Sequence, residues 1–147
     1  MGKYRKLTHV VYKCDYHIVF TPKYRFRILT GEIAANMLQD IRAICQWQDV
    51  EIDELNVQLD HVHVIVSIPP RLSVSNFMGI LKGKTAIKLF RNYPNLKKKP
   101  YWGNHFWSRG YFVNTIGINE DMIRRYVKYQ EEEERKYEKE QSDFSLF

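Results

Sequence analysis

Two histidines lie one residue apart in the segment DHVHVIVSI, residues 60–68, which otherwise has the β-branched composition of a buried strand. Side chains two residues apart on a strand project from the same face, so His61 and His63 point the same way while the alternate valines face the helices. Imidazole suits divalent transition metals and tolerates mixed nitrogen and oxygen coordination with Mn²⁺ or Mg²⁺. Two ligands are too few for an ion, and such a pair is more often structural than metal-binding. A third ligand has to come from elsewhere in the chain.

The last predicted helix, which contains INEDMIRRYVKYQEEEE, carries two candidates for the same site. Met122, Tyr126 and Gln130 are four residues apart and so lie on one helical row. Gln130 would complete the metal's shell, and the Tyr126 hydroxyl would lie beside the bound ion. Tyrosine is a poor nucleophile at its ordinary pKa of about 10 and needs a reaction partner made electrophilic by a metal. The alternative is that Tyr126 is a packing residue and Gln130 a solvated one.

The elements that must position these residues follow from hydrophobic periodicity and from turn and cap signals. They are a strand at 8–20, a helix at 31–48, strands at 50–59 and 61–68, a helix at 73–90, a strand at 106–116 and a helix at 119–139. This β-α-β-β-α-β order predicts an α+β fold with a ferredoxin-like or RRM-like antiparallel sheet backed by helices, and an additional C-terminal helix carries Tyr126. Many functions share that fold.

The size and composition predict one domain, 1–147, whose residues 140–147 form a frayed tail. Hydrophobic residues make up 44% and charged residues 27% of the 147, as in globular proteins. There is no apolar run of membrane-spanning length and no signal-peptide core in MGKYRKLTH. Cys14 and Cys45 lack metal-type spacing, and we expect reduced thiols in a cytoplasmic protein that does not contact a membrane.

The net positive charge comes from residues 1–120, whereas the C-terminal residues are net acidic. Residues 1–120 contain 17 Lys and Arg against 9 Asp and Glu, a net of +8, whereas residues 121–147 contain 6 against 8, a net of −2. A basic body with 14% aromatic residues suits a polyanionic partner, because Lys and Arg release phosphate counterions and aromatic rings accept unstacked bases. A merely soluble basic protein would have the same balance.

Together these residues resemble the HUH single-tyrosine transposases of the insertion sequence 200/605 type, over nearly the whole chain. Four stretches carry the resemblance: YHIVFTPKYR (16–25), DHVHVIVSIPP (60–70), FWSRGYFVNTIG (106–117) and IRRYVKYQ (123–130). In the resemblance, His61-Val62-His63 matches the His-hydrophobic-His element, Tyr126 matches the single nucleophile, and Gln130 matches a position that supplies the third metal ligand.

The resemblance implies a metal-dependent enzyme, using Mg²⁺ or Mn²⁺, that cuts and rejoins single-stranded DNA with subterminal hairpins. Tyr126 would attack the scissile phosphate and form a 5′-phosphotyrosine, and a second 3′-OH would reverse the step without ATP. The family also implies a homodimer whose C-terminal helices can exchange about a hinge at 116–119. Whether Tyr126 acts in its own subunit or in the other stays open.

Phosphate contacts are plausible for several basic side chains of the second helix, the following loop and the N-terminus. These are Arg5, Lys82, Lys84, Lys88, Arg91, Lys97, Lys98 and Lys99. A solvated helix face and loop would look the same. His17 and His105 are interpreted as structural, and Glu131 to Glu134 as a solvated helix end paired partly with Arg135 and Lys136.

Two other functions compete with the transposase hypothesis. A host-adapted HUH nuclease acting on repeated palindromes would keep the same site residues but recognise different hairpins. A non-catalytic ferredoxin-like nucleic-acid-binding domain would use its sheet as a stacking platform. That domain predicts aromatic residues on the sheet face where His61 and His63 lie, and it leaves Tyr126 and Gln130 unexplained.

Overall fold

The structure is a computed structural model that describes residues 4–7, 9–97, 105–115 and 120–145. The predicted DNA contacts Lys98 and Lys99 and the predicted hinge at 116–119 lie outside these residues, as does the side chain of Lys97. Within them, none of the helices combines the length and apolar character that crossing a membrane requires. Both cysteines are free thiols, and Cys45 is buried.

Six strands and four helices make up the described part of the chain, with a 3₁₀ turn after the third strand. They are β1 Arg5–Leu7, β2 Val10–Tyr12, β3 Asp15–Phe20, the 3₁₀ turn Lys23–Arg25, α1 Gly31–Trp47, β4 Glu51–Gln58, β5 His61–Ser67, α2 Val74–Asn92, α3 Pro94–Lys97, β6 Phe112–Asn114 and α4 Glu120–Ser145. Four strands form an antiparallel sheet in the order β4-β5-β3-β6, and β1 pairs with β2 in a separate hairpin. The predicted α+β class and helix-backed antiparallel sheet are confirmed.

The two faces of this sheet have different partners. Ile18 and Phe20 of β3 and the alternate valines of β5 lie on one face, where they form the main core with α1 and α2. His17 and Val19 alternate with them and therefore lie on the other face. Val19 is buried there against α4 in a second, smaller apolar cluster. Helix α4 consequently covers the second face at β3, and the histidines of β5 lie on that same face.

Several predicted boundaries are wrong, and for two strands a non-local contact decides where the element ends. The predicted strand 8–20 is two strands, since β2 turns away to pair with β1 while β3 joins the sheet. The predicted strand 106–116 is reduced to Phe112–Asn114, and Trp107 instead forms an isolated bridge with Pro22. The predicted loop after α2 contains α3.

The C-terminal helix is longer than predicted. It continues to Ser145, beyond the predicted end at 139, whereas the fraying of the tail stays a prediction. The sequence KEQSDFS at 139–145 contains neither glycine nor proline, and residues of this kind allow a helix to continue.

Helix α1 ends in a Schellman motif that sets the direction of β4. Asp49 has a φ of 58°, the Asp49 amide donates to the Gln46 carbonyl oxygen at 3.2 Å, and the Val50 amide donates to that of Cys45 at 2.9 Å. Val50 follows immediately and is buried in the core. Glycine is the residue usually found at the left-handed position, because it carries no Cβ.

We expect Asp49→Gly to be more stable than Asp49→Ala. Both variants remove the exposed ion pair between Asp49 and Arg71, so their difference reports the backbone alone. Alanine in the left-handed conformation should cost roughly 1 kcal/mol of unfolding free energy relative to glycine. Urea unfolding of the two variants measures this difference, and equal midpoints would contradict the left-handed turn.

Candidate active site

The histidine pair lies on the α4 side of the sheet, as the two-residue period predicts. His63 is directly opposite Val19 of β3 in the strand register, and Val62 between the two histidines is fully buried on the core side. The ring of His17 stacks on that of His63, with centroids 6.3 Å apart and planes inclined by 23°. Three imidazoles therefore share this face.

His17 is the member of this group to which sequence reasoning gave no functional role. Its side chain is buried, and neither ring nitrogen has a hydrogen-bond partner among the described residues. In the sequence, the spacing of two residues between His17 and Val19 indicates that their side chains share a face of the strand. Within the described ranges, no three His, Cys, Asp or Glu side chains form a metal-binding group. An ion at the histidine pair would therefore need a ligand of another kind, such as a carboxamide.

The carboxylate of Asp60 fixes which nitrogen of His61 carries the proton. Nδ1 of His61 lies 2.8 Å from Oδ1 of Asp60, and Nε of Arg25 donates to Oδ2 at 2.8 Å. Burial of Asp60 favours a higher pKa, but the hydrogen bonds from His61 and Arg25 outweigh it, so its pKa lies below the ordinary value. An ionised carboxylate only accepts hydrogen bonds, so Nδ1 is the donor, and in the neutral ring Nε2 keeps its lone pair. This is the arrangement in which histidine binds a metal.

Helix α4 brings Tyr126 to the strand next to the histidine pair. Ile123 and Val127 are buried against Val19, and Tyr126 and Phe112 pack against the same cluster. The rings of Tyr126 and Phe112 have centroids 5.6 Å apart. Because Val19 is the strand partner of His63, this contact places Tyr126 on the histidine face of the sheet.

Gln130 joins Tyr126 one turn further along α4. Its Nε2 donates to Oη of Tyr126 at 2.6 Å and to the carbonyl oxygen of Arg109 at 2.8 Å. A carbonyl oxygen can only accept, so the contact with Arg109 fixes the orientation of the amide. Neither bond uses Oε1, which is the atom that a metal would bind. Gln130 is only 8% exposed, so the alternative of a solvated glutamine is wrong.

The buried position of Tyr126 makes its hydroxyl harder to ionise. Burial raises the pKa of Tyr126 to about 12; the hydrogen bond from Gln130 lowers it, and the nearby Glu134 raises it further. The phenol is consequently protonated at neutral pH. Attack on a phosphate requires either a base that removes this proton or a positive charge that stabilises the phenolate.

Three acidic residues on one face of α4 hold the turn Lys23–Arg25. Positions 131, 134 and 138 share a helical face because they are three and four residues apart. The contacts are Arg25 Nη1 with Glu131 Oε2 at 3.3 Å, the Tyr24 amide with Glu134 Oε2 at 3.0 Å, and Lys23 Nζ with Glu138 Oε1 at 3.8 Å. The interpretation of 131–134 as a solvated helix end is therefore wrong for Glu131 and Glu134.

The side chains of Lys82 in α2 and Glu134 in α4 lie close to each other. Nζ of Lys82 donates to the carbonyl oxygens of Ser108 at 2.7 Å and Gly110 at 2.8 Å, and the Ser108 hydroxyl donates to Glu134. Burial lowers the pKa of Lys82 to about 8. Burial also raises the pKa of Glu134 to about 7, although Lys23, Lys82 and Arg135 oppose this shift. The Lys82 ammonium is thus bound within the chain in this arrangement, and its contact with phosphate stays a prediction.

Comparisons of sequence show the family of this chain. A family model described as transposase, IS200 like, matches residues 10–130. The chain is 43% identical over 135 residues to the transposase for insertion sequence element IS200 of Salmonella typhimurium, covering 92% of this chain and 88% of the relative. It is 34% identical over 125 residues to the ISDra2 transposase TnpA of Deinococcus radiodurans, covering 84% and 89% respectively. The chain belongs to the IS200-like transposase family.

Two solved structures share the fold of this IS200-like transposase. A candidate transposase crystallised from Deinococcus radiodurans R1 has a TM-score of 0.78 and 31% identity, over 86% of this chain and 97% of that one. A REP-associated tyrosine transposase bound to a REP hairpin has a TM-score of 0.51 and 21% identity, over 88% and 70%. The second likeness is one of fold alone.

The other basic residues predicted to hold DNA differ in how available they are in this transposase. Arg5 is paired with Glu51 and Asp53, which neutralise its charge. The remaining three, Lys84, Lys88 and Arg91, belong to α2 and keep substantial exposure. Nζ of Lys84 lies 4.9 Å from the Trp47 ring centroid, and Nζ of Lys88 lies 3.7 Å from Oδ1 of Asp40. Contact between α2 and phosphate stays a prediction.

We expect Glu134→Gln to reduce the pH dependence of this transposase's stability. The folded state holds the Glu134 proton up to about pH 7, whereas the ordinary pKa is 4.5. Between these values the folded state binds more protons, so the free energy of unfolding falls as pH rises. Lys82 affects the pH dependence of stability only above its pKa of about 8, so it does not contribute between pH 5 and pH 7.

Urea unfolding at pH 5 and pH 7 measures the change. From pH 5 to pH 7 the free energy of unfolding should fall by roughly 1–2 kcal/mol more in the wild-type chain than in Glu134→Gln, after allowance for partial exposure. Glu132→Gln removes a carboxylate from the exposed side of the same helix and serves as the control. An identical pH dependence in Glu134→Gln and the wild type would mean that Glu134 titrates as in water.

Proposed function

We propose that this chain is a metal-dependent single-stranded DNA transposase that cuts and rejoins hairpin-bearing element ends through Tyr126. The observation that carries the proposal is the contact of α4 with Val19, because it holds Tyr126, which is hydrogen-bonded to Gln130, against the strand adjacent to His61 and His63. The same site would serve a host-adapted nuclease acting on repeated palindromes. The family membership favours transposition of an insertion sequence.

The donor set fits a divalent cation such as Mg²⁺ or Mn²⁺. His61, through Nε2, His63 and Gln130, through Oε1, would hold it. The Asp60 contact supports this assignment, because a carboxylate on the remote nitrogen is the usual companion of a metal-binding histidine. When bound, the cation would polarise the scissile phosphate and favour the ionised phenol.

In the proposed reaction Tyr126 Oη attacks the scissile phosphorus as its proton leaves to water or a base. A bond forms between Oη and phosphorus, the bond from phosphorus to the 3′ oxygen breaks, and the 3′-OH departs with a proton. The product is a 5′-phosphotyrosine, and a second 3′-OH can reverse the exchange without ATP. Gln130 donates to Oη, so the Tyr126 proton must point elsewhere, and the same bond stabilises the phenolate.

The covered sheet face argues against a non-catalytic binding domain. That alternative needs exposed aromatic rings on the histidine face to stack on bases. Phe112 does lie on this face, but it packs against Tyr126 and the α4 cluster. Within the described strands this face therefore carries histidines and a Phe112 packed against α4, not an open row of aromatic rings.

Hairpin DNA and a second subunit are the partners that the proposal includes. The REP-associated relative was solved on a REP hairpin, and we extend hairpin binding to this chain because of its family. The homodimer with exchanged C-terminal helices follows from the same family. In the described arrangement α4 packs on Val19 of its own chain, on the sheet face that carries the histidines.

Tyr126→Phe should abolish the covalent adduct while hairpin binding survives. Phenylalanine keeps the packing on Phe112 and Val19 but lacks the attacking oxygen, so cleavage should fall by roughly 10³-fold or more. A 3′-labelled hairpin oligonucleotide on a denaturing gel reveals the fragment attached to protein. Tyr129→Phe, on the exposed side of the same helix, is the matched control and should retain the adduct. An adduct formed by Tyr126→Phe would exclude this residue as nucleophile.

Removal of the metal should separate cutting from binding. With EDTA present, we expect cleavage of the oligonucleotide to cease and to return when Mn²⁺ or Mg²⁺ is added in excess. Fluorescence polarisation should show little change in hairpin affinity, since phosphate and base contacts need no ion. Simultaneous loss of both activities would instead indicate that the metal is structural.

A further inference from the structure

The turn Lys23–Arg25 is the strained part of the backbone near the site. Tyr24 and Arg25 have φ values of 58° and 57°, so two successive residues with side chains adopt the left-handed conformation. Such residues are strained and persist only where the surroundings determine their conformation. Here the surroundings are α4, whose acidic residues bind all three members of the turn.

Arg25 reaches from this turn to both halves of the candidate site. Its Nε donates to Oδ2 of Asp60 at 2.8 Å, and its Nη1 lies 3.3 Å from Oε2 of Glu131. Asp60 binds His61 through its other oxygen, and Glu131 follows Gln130 directly in α4. The side chains of Asp60, Arg25 and Glu131 are 16%, 28% and 30% exposed, so the pairs are partly shielded from water.

We propose that Arg25 is a positioning residue that couples the docking of α4 to the orientation of the metal ligand His61. One side of the guanidinium holds the Asp60 carboxylate, which fixes the rotamer and tautomer of His61. The other side holds Glu131 and hence the helical turn that carries Gln130. A planar guanidinium presents donors on separate nitrogens to the two carboxylates, which a lysine ammonium does not reproduce. This inference rests on the proposed metal site.

The sign of the effect on metal affinity distinguishes positioning from simple charge. Removing a positive charge near a cation site should tighten cation binding if only electrostatics matter. Loss of a positioning contact should weaken it, and partners of metal-binding histidines change affinity by about 10–100-fold. We therefore expect Arg25→Met to weaken Mn²⁺ binding by about 10-fold and Arg25→Lys to recover only part of the loss.

Electron paramagnetic resonance of free Mn²⁺ measures this affinity on the full chain without DNA. Lys23→Met is the matched control, because Lys23 belongs to the same turn and pairs with Glu138 but does not contact Asp60. It should leave the affinity unchanged or slightly tighter. An Arg25→Met affinity equal to or tighter than that of Lys23→Met would overturn the coupling.

A second readout requires no metal. In ¹⁵N-histidine spectra the wild-type His61 should show protonated Nδ1 and unprotonated Nε2, and Arg25→Met should show a mixture of tautomers. Glu131→Gln tests the other side of the guanidinium: it should weaken Mn²⁺ binding alone but add nothing in the Arg25→Met background. If Arg25→Met does not fold, Arg25→Lys and Glu131→Gln carry the test, and wild-type affinity in both would overturn the proposal.

His61→Ala separates this inference from the proposed function. If His61→Ala binds Mn²⁺ as the wild type does, the proposed metal site itself is wrong. If His61→Ala loses binding while Arg25→Met and Glu131→Gln behave like Lys23→Met, the metal site stands and the role of Arg25 is wrong.

Discussion

The docking of α4 on the sheet face opposite the core is the interaction on which the site depends. Ile123 and Val127 bury their side chains against Val19, and this small apolar cluster is the direct contact between the helix and the central strand. Burial of two such side chains contributes about 3–6 kcal/mol before the entropy of ordering the helix is subtracted. This contact places Tyr126 beside the strand that pairs with the histidines, and the contacts of α4 with the turn Lys23–Arg25 add to it.

The same docking that positions Tyr126 also suppresses its reactivity. Burial raises the pKa of Tyr126 to about 12, so the docked phenol is well oriented and poorly ionised. Gln130 reduces this penalty by donating to Oη, but a neutral amide supplies only part of the compensation that a cation would supply. In the proposed reaction such a site is inactive until a metal and a DNA phosphate are both present, which would protect the proposed nucleophile from unproductive reaction.

Strong local periodicities allowed the central part of the site to be predicted from sequence. The two-residue period placed His61 and His63 on one face, and the four-residue spacing of Tyr126 and Gln130 put their side chains in hydrogen-bonding contact. Both inferences require only the geometry of a single element. The antiparallel sheet followed for the same reason, from the order of well-patterned segments.

What the sequence could not predict depends on residues that are distant along the chain. Glu134 resembles any solvated acid of a helix end until the turn Lys23–Arg25 is placed opposite it. Lys82 resembles its exposed neighbours on α2 until the carbonyl oxygens of Ser108 and Gly110 are found beside it. Charge alone therefore does not distinguish a DNA contact from an internal one.

The composition of the α4 interface is suited to a helix that can leave its position. Its apolar part is small, and much of the rest consists of ion pairs with the turn Lys23–Arg25, whose side chains retain partial exposure. Partly exposed pairs contribute little net free energy each, typically about 0–1 kcal/mol, and are weakened by salt. They do, however, fix the register of the helix, because each acid has its own partner in the turn. A docking of modest strength and high specificity is what the proposed exchange of helices between subunits requires, since an equivalent turn in a second copy would accept the same helix in the same register.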